Sequence, residues 1–510
     1  MALDPVPARF NLARYCLGPG APRDPDKTAL IVVGDADAPS EAAERWTYGQ
    51  LDTGVRRVAA GLTALGLAPG TRIMIRLENT SVYPLLFFGA MAAGLIALPT
   101  SSQLTDEEAL FVLGNAGASA LAVADGLALA GVPMGVRVLR EADIDALLAH
   151  DPAPDYADTG AEDPAFLVYT SGTSGRPKGV LHAHRSAWGR RPMVEGWYGL
   201  TREDVVLHAG AFNWTYTLGV GLTDPWANGA TTVVYNGPKD PAVWPRLMRT
   251  YGASLFAAVP SVYRQILKYA APDRAAIGGL RHGLTAGEAL APALAERWFD
   301  ATGTMLYEAL GMSECSTYIS SSPVVPPKPG SPGKPQKGRR VAILPTEGGT
   351  DPLPAGAVGL LAVHRSDPGL MLGYWNRPEE EEAVVRGDWF VGGDLAEMDE
   401  DGYVWFHGRA DDLMNAMGYR VSPEEVESVL AAHPDLAEVA VTERQVRADV
   451  SVIAAFCVAR NPAAPPSKEA VTAFAADHLA PYKCPREVVF LEALPRTPNG
   501  KVIRRQLRTV

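Results

Sequence analysis

A chain of 510 residues and 54.2 kDa exceeds what one core usually supports, so two or more domains are expected, and 47% hydrophobic residues supply ample material to bury. That composition argues against disordered and fibrous classes. A formal net charge of −12 and a pI near 5.3 argue against a nucleic-acid binder, which needs a basic face, yet leave room for a local basic patch around a small polyphosphate.

The cysteines Cys16, Cys315, Cys457 and Cys484 are scattered, with no Cys-x-x-Cys pair for zinc or redox chemistry, and read as reduced thiols of a cytoplasmic protein. The start, Met-Ala-Leu-Asp-Pro-Val-Pro, lacks the basic region and apolar core of a secretory signal. Residues 48 to 65 place Leu51, Val55, Val58, Leu62 and Leu65 at three- or four-residue spacings around Arg56 and Arg57, which predicts an amphipathic helix. Thr71 to Leu77 reads as a strand. The apolar window Pro84 to Pro99 is too short for a bilayer span and reads as a buried helix leading into a strand. With Leu121-Ala122-Val123 as a further strand, the alternation predicts an α/β domain whose sheets are covered by helices.

Residues 169 to 180, Tyr-Thr-Ser-Gly-Thr-Ser-Gly-Arg-Pro-Lys-Gly-Val, lie between apolar runs and read as strand, loop, strand. Thr170, Ser171, Thr173 and Ser174 supply hydroxyl donors, Gly172, Gly175 and Gly179 permit close backbone approach, and Lys178 is the cation. Such a turn forms an anion nest, and a lysine serves there as a point charge for phosphate. Composition alone fits an ordinary Gly/Ser loop equally well. The order is neither Gly-x-x-x-x-Gly-Lys-Ser/Thr nor Gly-x-Gly-x-x-Gly, so a third kind of phosphate loop is required. The string resembles the signature of the adenylate-forming superfamily, which includes acyl-CoA synthetases, firefly luciferase and the adenylation domains of peptide synthetases. That resemblance implies a large N-terminal multi-sheet α/β domain, residues 1–410, followed by a small mobile α+β domain, residues 411–510. It assigns Thr170, Ser171, Gly172, Thr173, Ser174, Gly175 and Lys178 to ATP.

Beyond the loop, Trp188, Trp197, Trp214 and Trp226 with Phe212 and Tyr216 are dense enough to be core. Asn213-Trp214 followed by Asp224-Pro225-Trp226-Ala227-Asn228-Gly229-Ala230 is similar to a pattern in acetyl- and medium-chain acyl-CoA synthetases. By that likeness Trp214 and Tyr216 line the acid pocket, an indole wall limiting the length or shape of the acid. Leu284 to Leu290 resembles the segment that runs along adenine, implicating Gly287, Glu288 and Ala289. Tyr307 to Glu314 resembles the Tyr-Gly-x-Thr-Glu segment: Ala309, Leu310, Gly311, Met312 and Ser313 meet nucleotide, Gly311 and Met312 also meet the acid, and Glu314 helps hold Mg2+. Ser313 replaces the usual threonine and keeps its hydroxyl. Leu310 replaces an aromatic residue and offers no stacking, an exchange the benzoate-CoA ligases share.

Residues 322 to 338, rich in Pro, Gly, Ser and Lys, read as a surface loop. Met371-Leu372-Gly373-Tyr374-Trp375-Asn376 resembles a Gly-Tyr-Trp segment of the same enzymes, although Leu360 stands where a glutamate is usual. The family's Thr-Gly-Asp is here Gly392-Gly393-Asp394. Asp394 is implied to accept from both ribose hydroxyls, with Arg409 donating to the sugar or its phosphate. Considered singly, the two residues equally read as a surface pair at strand ends.

Asp411 falls at the family's hinge position. Ser422-Pro423-Glu424-Glu425 predicts a capping box with proline at the first helical position, ahead of an apolar face of Val426, Val429 and Leu430. Residues 438–442 and 450–458 read as strands, and 467–478 as a helix. By resemblance Gly418, Tyr419 and Arg420 line the pantetheine tunnel, and Pro-Arg-Thr-Pro-Asn-Gly-Lys places Lys501 as the mobile catalytic lysine; by composition the tail is a solvated charge run.

The expected activity is ATP-dependent carboxylic acid:CoA ligation through acyl-AMP, with ATP, Mg2+ and coenzyme A. Lys501, Glu314 and Lys178 are its catalytic residues, and the acid is aryl, benzoate-like, or short-to-medium acyl. The expected partners are small molecules, with no nucleic acid and no integral membrane segment, for a monomer or homodimer. Two other classes stay open: an adenylating enzyme that loads a carrier protein, and a non-catalytic nucleotide sensor.

Overall fold

The structure is a computed structural model that describes residues 4–19, 24–127, 130–170, 177–410, 414–416, 419–447, 450–479, 481, 483–496, 500 and 502–509. Ser171, Gly172, Thr173, Ser174, Gly175, Asp411, Gly418 and Lys501 lie outside these residues. The chain divides into two compact units, Met1–Arg340 with Val363–Asp388, and Val341–Ala362 with Trp389–Val510.

Two sheets share a helical layer in the larger unit. Among the described residues, one sheet runs in the order Lys334–Pro335, Ser316–Ser320, Met305–Met312, His282–Ala286, Leu255–Ala257, Val205–His208, Thr231–Tyr235, Thr28–Val33, Glu44–Thr47. The other runs Gly373–Tyr374, Lys178–Ala183, Pro164–Thr170, Ile96–Pro99, Arg72–Arg76, Ala120–Val123, Arg137–Leu139. Alternation along each strand sends its residues to opposite faces. Leu30 and Val32 join Ile73, Ile75 and Ala97 in a core between the sheets, while Ile31 and Val33 pack outward with Leu207 and Phe256.

The predicted amphipathic helix is Tyr48–Ala64, started by a reciprocal cap in which Gln50 N–H donates to Thr47 Oγ1 and Thr47 N–H donates to Gln50 Oε1. It packs on Val82–Ala92, whose residues from Tyr83 onward are all buried, as a helix apolar on every side must be. Burying Phe87 or Phe88 there contributes about 1.5–3 kcal/mol each. No helix among the described residues is long and apolar enough to cross a membrane.

Two expectations are corrected. Residues 322–338 are not simply a surface loop: Ser322, Ser331 and Gln336 are buried, and Lys334–Pro335 adds a strand beside Ser316–Ser320. Gln336 N–H donates to Tyr318 O, and its side-chain amide to Ser320 Oγ, which draws this polar segment into the sheet edge.

In the smaller unit, Val341–Leu344, Gly359–His364, Trp389–Met398 and Val404–Arg409 form one sheet, and Leu436–Arg447, Val450–Ala459 and Glu487–Phe490 another. Leu360, at the position expected to carry glutamate, is buried among Leu344, Ala362, Val391 and Leu395. Helices Pro423–Leu430 and Lys468–His478 cover one face of the second sheet through Val426, Leu430, Val471 and Ala475. Lys468–His478 is capped by Ser467, but Pro423–Leu430 has no side-chain cap, so the predicted capping box does not form. The Ser422 hydroxyl instead donates to His407 O at 2.6 Å, and no helix N–H donates to its oxygen. All four cysteines are buried thiols.

Candidate active site

Strands Val205–His208, Leu255–Ala257, His282–Ala286 and Met305–Met312 are mutually parallel, so the segments following them gather at one sheet edge. Ligands of open α/β sheets bind at that carboxyl edge. Ala286 pairs with Ala309, which sets Gly287, Glu288 and Ala289 beside the end of the neighbouring strand. Leu290 N–H donates to Glu308 Oε1 at 2.9 Å and pins this segment; burial raises the Glu308 carboxyl to about 7 despite that bond.

Gly287 has φ +91°, and a Cβ there would lie 3.3 Å from Trp214 Cη2. Gly287 and the Trp214 indole are therefore neighbours. Trp214 meets Tyr216 edge-on at 5.2 Å, and Tyr216 in turn packs on His208 and Trp197. Trp214 is half-buried and Tyr216 buried, so the indole is the more accessible part of this wall. His208 Nδ1 accepts Gly210 N–H at 2.8 Å, and burial lowers its pKa to about 3, so the imidazole beneath Tyr216 is neutral.

Met305–Met312 turns through Ser313, Glu314 and Cys315 into Ser316–Ser320. Gly311 has to be glycine for this hairpin, because a Cβ would stand 2.4 Å from Ser316 O. Leu310 to Glu314 are all half-exposed along it. The turn is held from behind: His182 Nε2 lies 2.9 Å from Ser313 O, and since a carbonyl only accepts, that nitrogen carries the proton. His182 stacks on Phe166, and burial lowers its pKa to about 4. The buried Arg190–Asp224 pair, joined by the Tyr198 hydroxyl, reaches Ser316 on the next strand.

Thr170 and Lys178 are register partners at the mouth of the phosphate-loop candidate. Gly373–Tyr374 lies alongside that strand, with Tyr374 opposite Val180 and Trp375 N–H on Gly179 O at 2.8 Å. The Tyr374 hydroxyl donates to Glu314 Oε1 at 2.7 Å, and Lys178 Nζ sits 3.8 Å from the Tyr374 ring centroid. Glu380 Oε2 is 3.9 Å from Lys178 Nζ, and Arg377 holds the other Glu380 oxygen at 2.7 Å. The structure thus brings Lys178 to the ring face of Tyr374 and Glu314 to its hydroxyl. Neither Tyr374 nor Glu380 was among the sequence candidates; the available signal was the Gly-Tyr-Trp string itself.

One carboxylate at such a site suits Mg2+, which is usually held by one or two carboxylates with phosphate oxygens and water. Among the described residues no group of three or more His, Cys, Asp or Glu forms an all-protein cage. In the smaller unit Asp394 and Arg409 are register partners, joined at 3.1 Å, and Arg409 also donates to Gly392 O. Tyr419 and Arg420 lie on a short strand, Tyr419–Val421, paired with Met414–Ala416.

The family model for AMP-binding enzymes matches residues 20–375, and that for the AMP-binding enzyme C-terminal domain matches residues 425–501. The chain belongs to this adenylate-forming family, in its acyl-CoA synthetase branch, and is an AMP-forming acid–thiol ligase. It is 32% identical to the mouse mitochondrial acyl-coenzyme A synthetase ACSM5 over 99% of this chain and 91% of that one. Among solved structures it is similar to a benzoate CoA ligase from Burkholderia xenovorans LB400 (30% identity, TM-score 0.86, 98% and 100% of the two chains). It is also similar to ATP-bound MatB from Rhodopseudomonas palustris (28% identity, TM-score 0.89, 98% of each chain).

Proposed function

We propose that the protein joins a carboxylic acid to coenzyme A at the expense of ATP, and that the acid is aryl, benzoate-like, or of short to medium chain. The observation that carries the ATP chemistry is the placement of Lys178 over the ring face of Tyr374 and of Glu314 at its hydroxyl. A carboxylate is a poor acyl donor because oxide is a poor leaving group. One carboxylate oxygen attacks the α-phosphorus, a new P–O bond forms, and the bond to the bridging oxygen breaks with its electron pair leaving on pyrophosphate. Both reactants are anionic, so cations must stand where charge builds. In this proposal Lys178, with the hydroxyls and amides of residues 170–175, takes the departing pyrophosphate, Ser313 meets the α-phosphate, and Lys501 stands between carboxylate and α-phosphate. Glu314 would hold Mg2+, which neutralises phosphate charge when bound.

Asp394 and Arg409 are assigned to the ribose, and Gly287 to Ala289 with Ala309 to Met312 to the base. The Asp394 carboxylate has acceptor capacity beyond its bond to Arg409. The CoA sulfur then attacks the acyl carbonyl carbon and AMP leaves; Gly418, Tyr419 and Arg420 guide the thiol, and Asp411 is the hinge between residues 1–410 and 411–510. Trp214 and Tyr216, with Gly311 and Met312, bound the acid. The benzoate CoA ligase likeness supports the aryl reading, and the half-exposed indole supports a closed pocket. The location is proposed to be cytoplasmic, for a monomer or homodimer.

A panel of acids in a pyrophosphate-release assay tests the acid class: aryl or short-to-medium acids should turn over best, and equal turnover of long fatty acids contradicts the closed pocket. CoA-dependent AMP release separates free CoA from a carrier-protein acceptor. Pyrophosphate exchange separates either from a nucleotide sensor.

A further inference from the structure

We infer that Tyr374 is a positioning residue for both charges that meet the phosphates, a role that rests on the ATP-dependent reading above. A lysine and a glutamate that serve one polyphosphate must stand close together without collapsing into an ion pair. Near a protein surface the mutual attraction of such a pair is strong enough to withdraw both groups from a ligand. Tyr374 resolves this by giving each charge a different part of itself. Its hydroxyl donates to Glu314 Oε1, and its ring face carries Lys178 Nζ. Among the described residues, the carboxylate within ion-pair reach of Lys178 is Glu380, not Glu314.

The backbone makes this placement rigid. Lys178 and Val180 are two apart on one strand and share a face; Tyr374, opposite Val180, therefore projects its ring diagonally toward Lys178. Trp375 N–H on Gly179 O and Leu372 N–H on Leu181 O fasten the segment to that strand, while Met371 N–H on Glu314 O at 2.7 Å fastens it to the turn. Residues 371–375 form a bracket between the phosphate-loop strand and the carboxylate turn, and only 6% of the Tyr374 surface is exposed. Glu380 belongs to the same device: held by Arg377, it balances Lys178 until phosphate displaces it.

The test compares Y374F, Y374L and E314Q in the full-length protein, with Mn2+·ATP binding read by electron paramagnetic resonance and pyrophosphate exchange read at saturating metal. Y374F loses the hydroxyl and keeps the ring. It should raise the Mn2+ concentration for half-saturation on the order of tenfold, as loss of an outer partner of a metal ligand does, with an unchanged unfolding temperature and ATP KM. Y374L should additionally raise the ATP KM several-fold. Wild-type Mn2+ binding by Y374F, alongside weakened binding by E314Q, overturns the role of Tyr374 alone. Wild-type binding by E314Q overturns the underlying assignment of Glu314. Weakened binding in Y374F that is matched by a lower unfolding temperature shows a merely structural tyrosine and also overturns the inference.

Discussion

Acidification from pH 7.5 to 5.5 should destabilise the larger unit by about 3–4 kcal/mol. His182, His184, His208 and His282 are each at most 4% exposed, and burial lowers their pKa values to about 4, 4, 3 and 4 from 6.5. Two of them, His184 and His208, accept a backbone N–H on Nδ1, a role imidazolium cannot fill. Above pH 6.5 the imidazole is neutral in both folded and unfolded chains, and the full stability is present. Between 6.5 and about 4 the unfolded chain binds more protons, so stability falls as pH falls.

At pH 5.5 each histidine costs slightly more than about 1 kcal/mol, hence about 5 kcal/mol for the set. Glu308 acts in the opposite sense. Its pKa is raised to about 7 from 4.5, so the folded state binds the extra proton and gains about 2 kcal/mol over the same interval. The net is a large fraction of an ordinary domain's 5–15 kcal/mol. Urea unfolding followed by tryptophan fluorescence at the two pH values measures it. His208→Asn, whose amide oxygen can take the Gly210 N–H, should reduce the pH dependence by about 1 kcal/mol whatever it does to stability at pH 7.5. Stability that is flat across the interval, or an unchanged dependence in His208→Asn, would refute neutral buried histidines.

Lys501→Ala should abolish adenylation while largely sparing thioester formation from supplied acyl-AMP, measured as separate half-reactions; equal loss of both sinks its assignment. Trp214→Ala should admit longer or bulkier acids, with specificity for the best wild-type acid falling about 10- to 200-fold in kcat/KM. An unchanged acid profile would place the indole outside the pocket. Gly311→Ala drives a Cβ against Ser316 O and should cost about 1–3 kcal/mol in thermal unfolding. A neutral result would mean that the hairpin is looser than its backbone contact implies.

Much of the fold was legible because burial repeats at the period of the element. The Leu51 to Leu65 spacing yields Tyr48–Ala64, and the window from Pro84 to Pro99 yields Val82–Ala92 followed by Ile96–Pro99. Partners distant in the chain were not legible. Ser422 suits a helix cap, but its hydroxyl is turned to His407 O, fifteen residues earlier, and takes no helix N–H. The polar segment 322–338 reads as exposed because side-chain polarity does not reveal that Gln336 and Ser331 find partners at a sheet edge. Lys178 and Glu314 were found by order along the chain. Tyr374 was not, because its meaning lies in a partner sixty residues away and in a strand pairing that brings Lys178 over its ring. Asp394 and Arg409, read at first as either a ribose site or a surface pair at strand ends, do pair, but Asp394 is buried in the middle of Trp389–Met398, and the ribose role stays with the proposal.

The central claim is the two-step ligation, and the most direct measurement is a product balance with purified protein, ATP, Mg2+, a benzoate-like acid and CoA. Without CoA, the acid should drive ATP–pyrophosphate exchange and one enzyme equivalent of acyl-AMP. With CoA, AMP, pyrophosphate and acyl-CoA should appear in equal amounts. ATP binding without acid-dependent exchange across the acid panel, or AMP release that ignores CoA, would contradict the account.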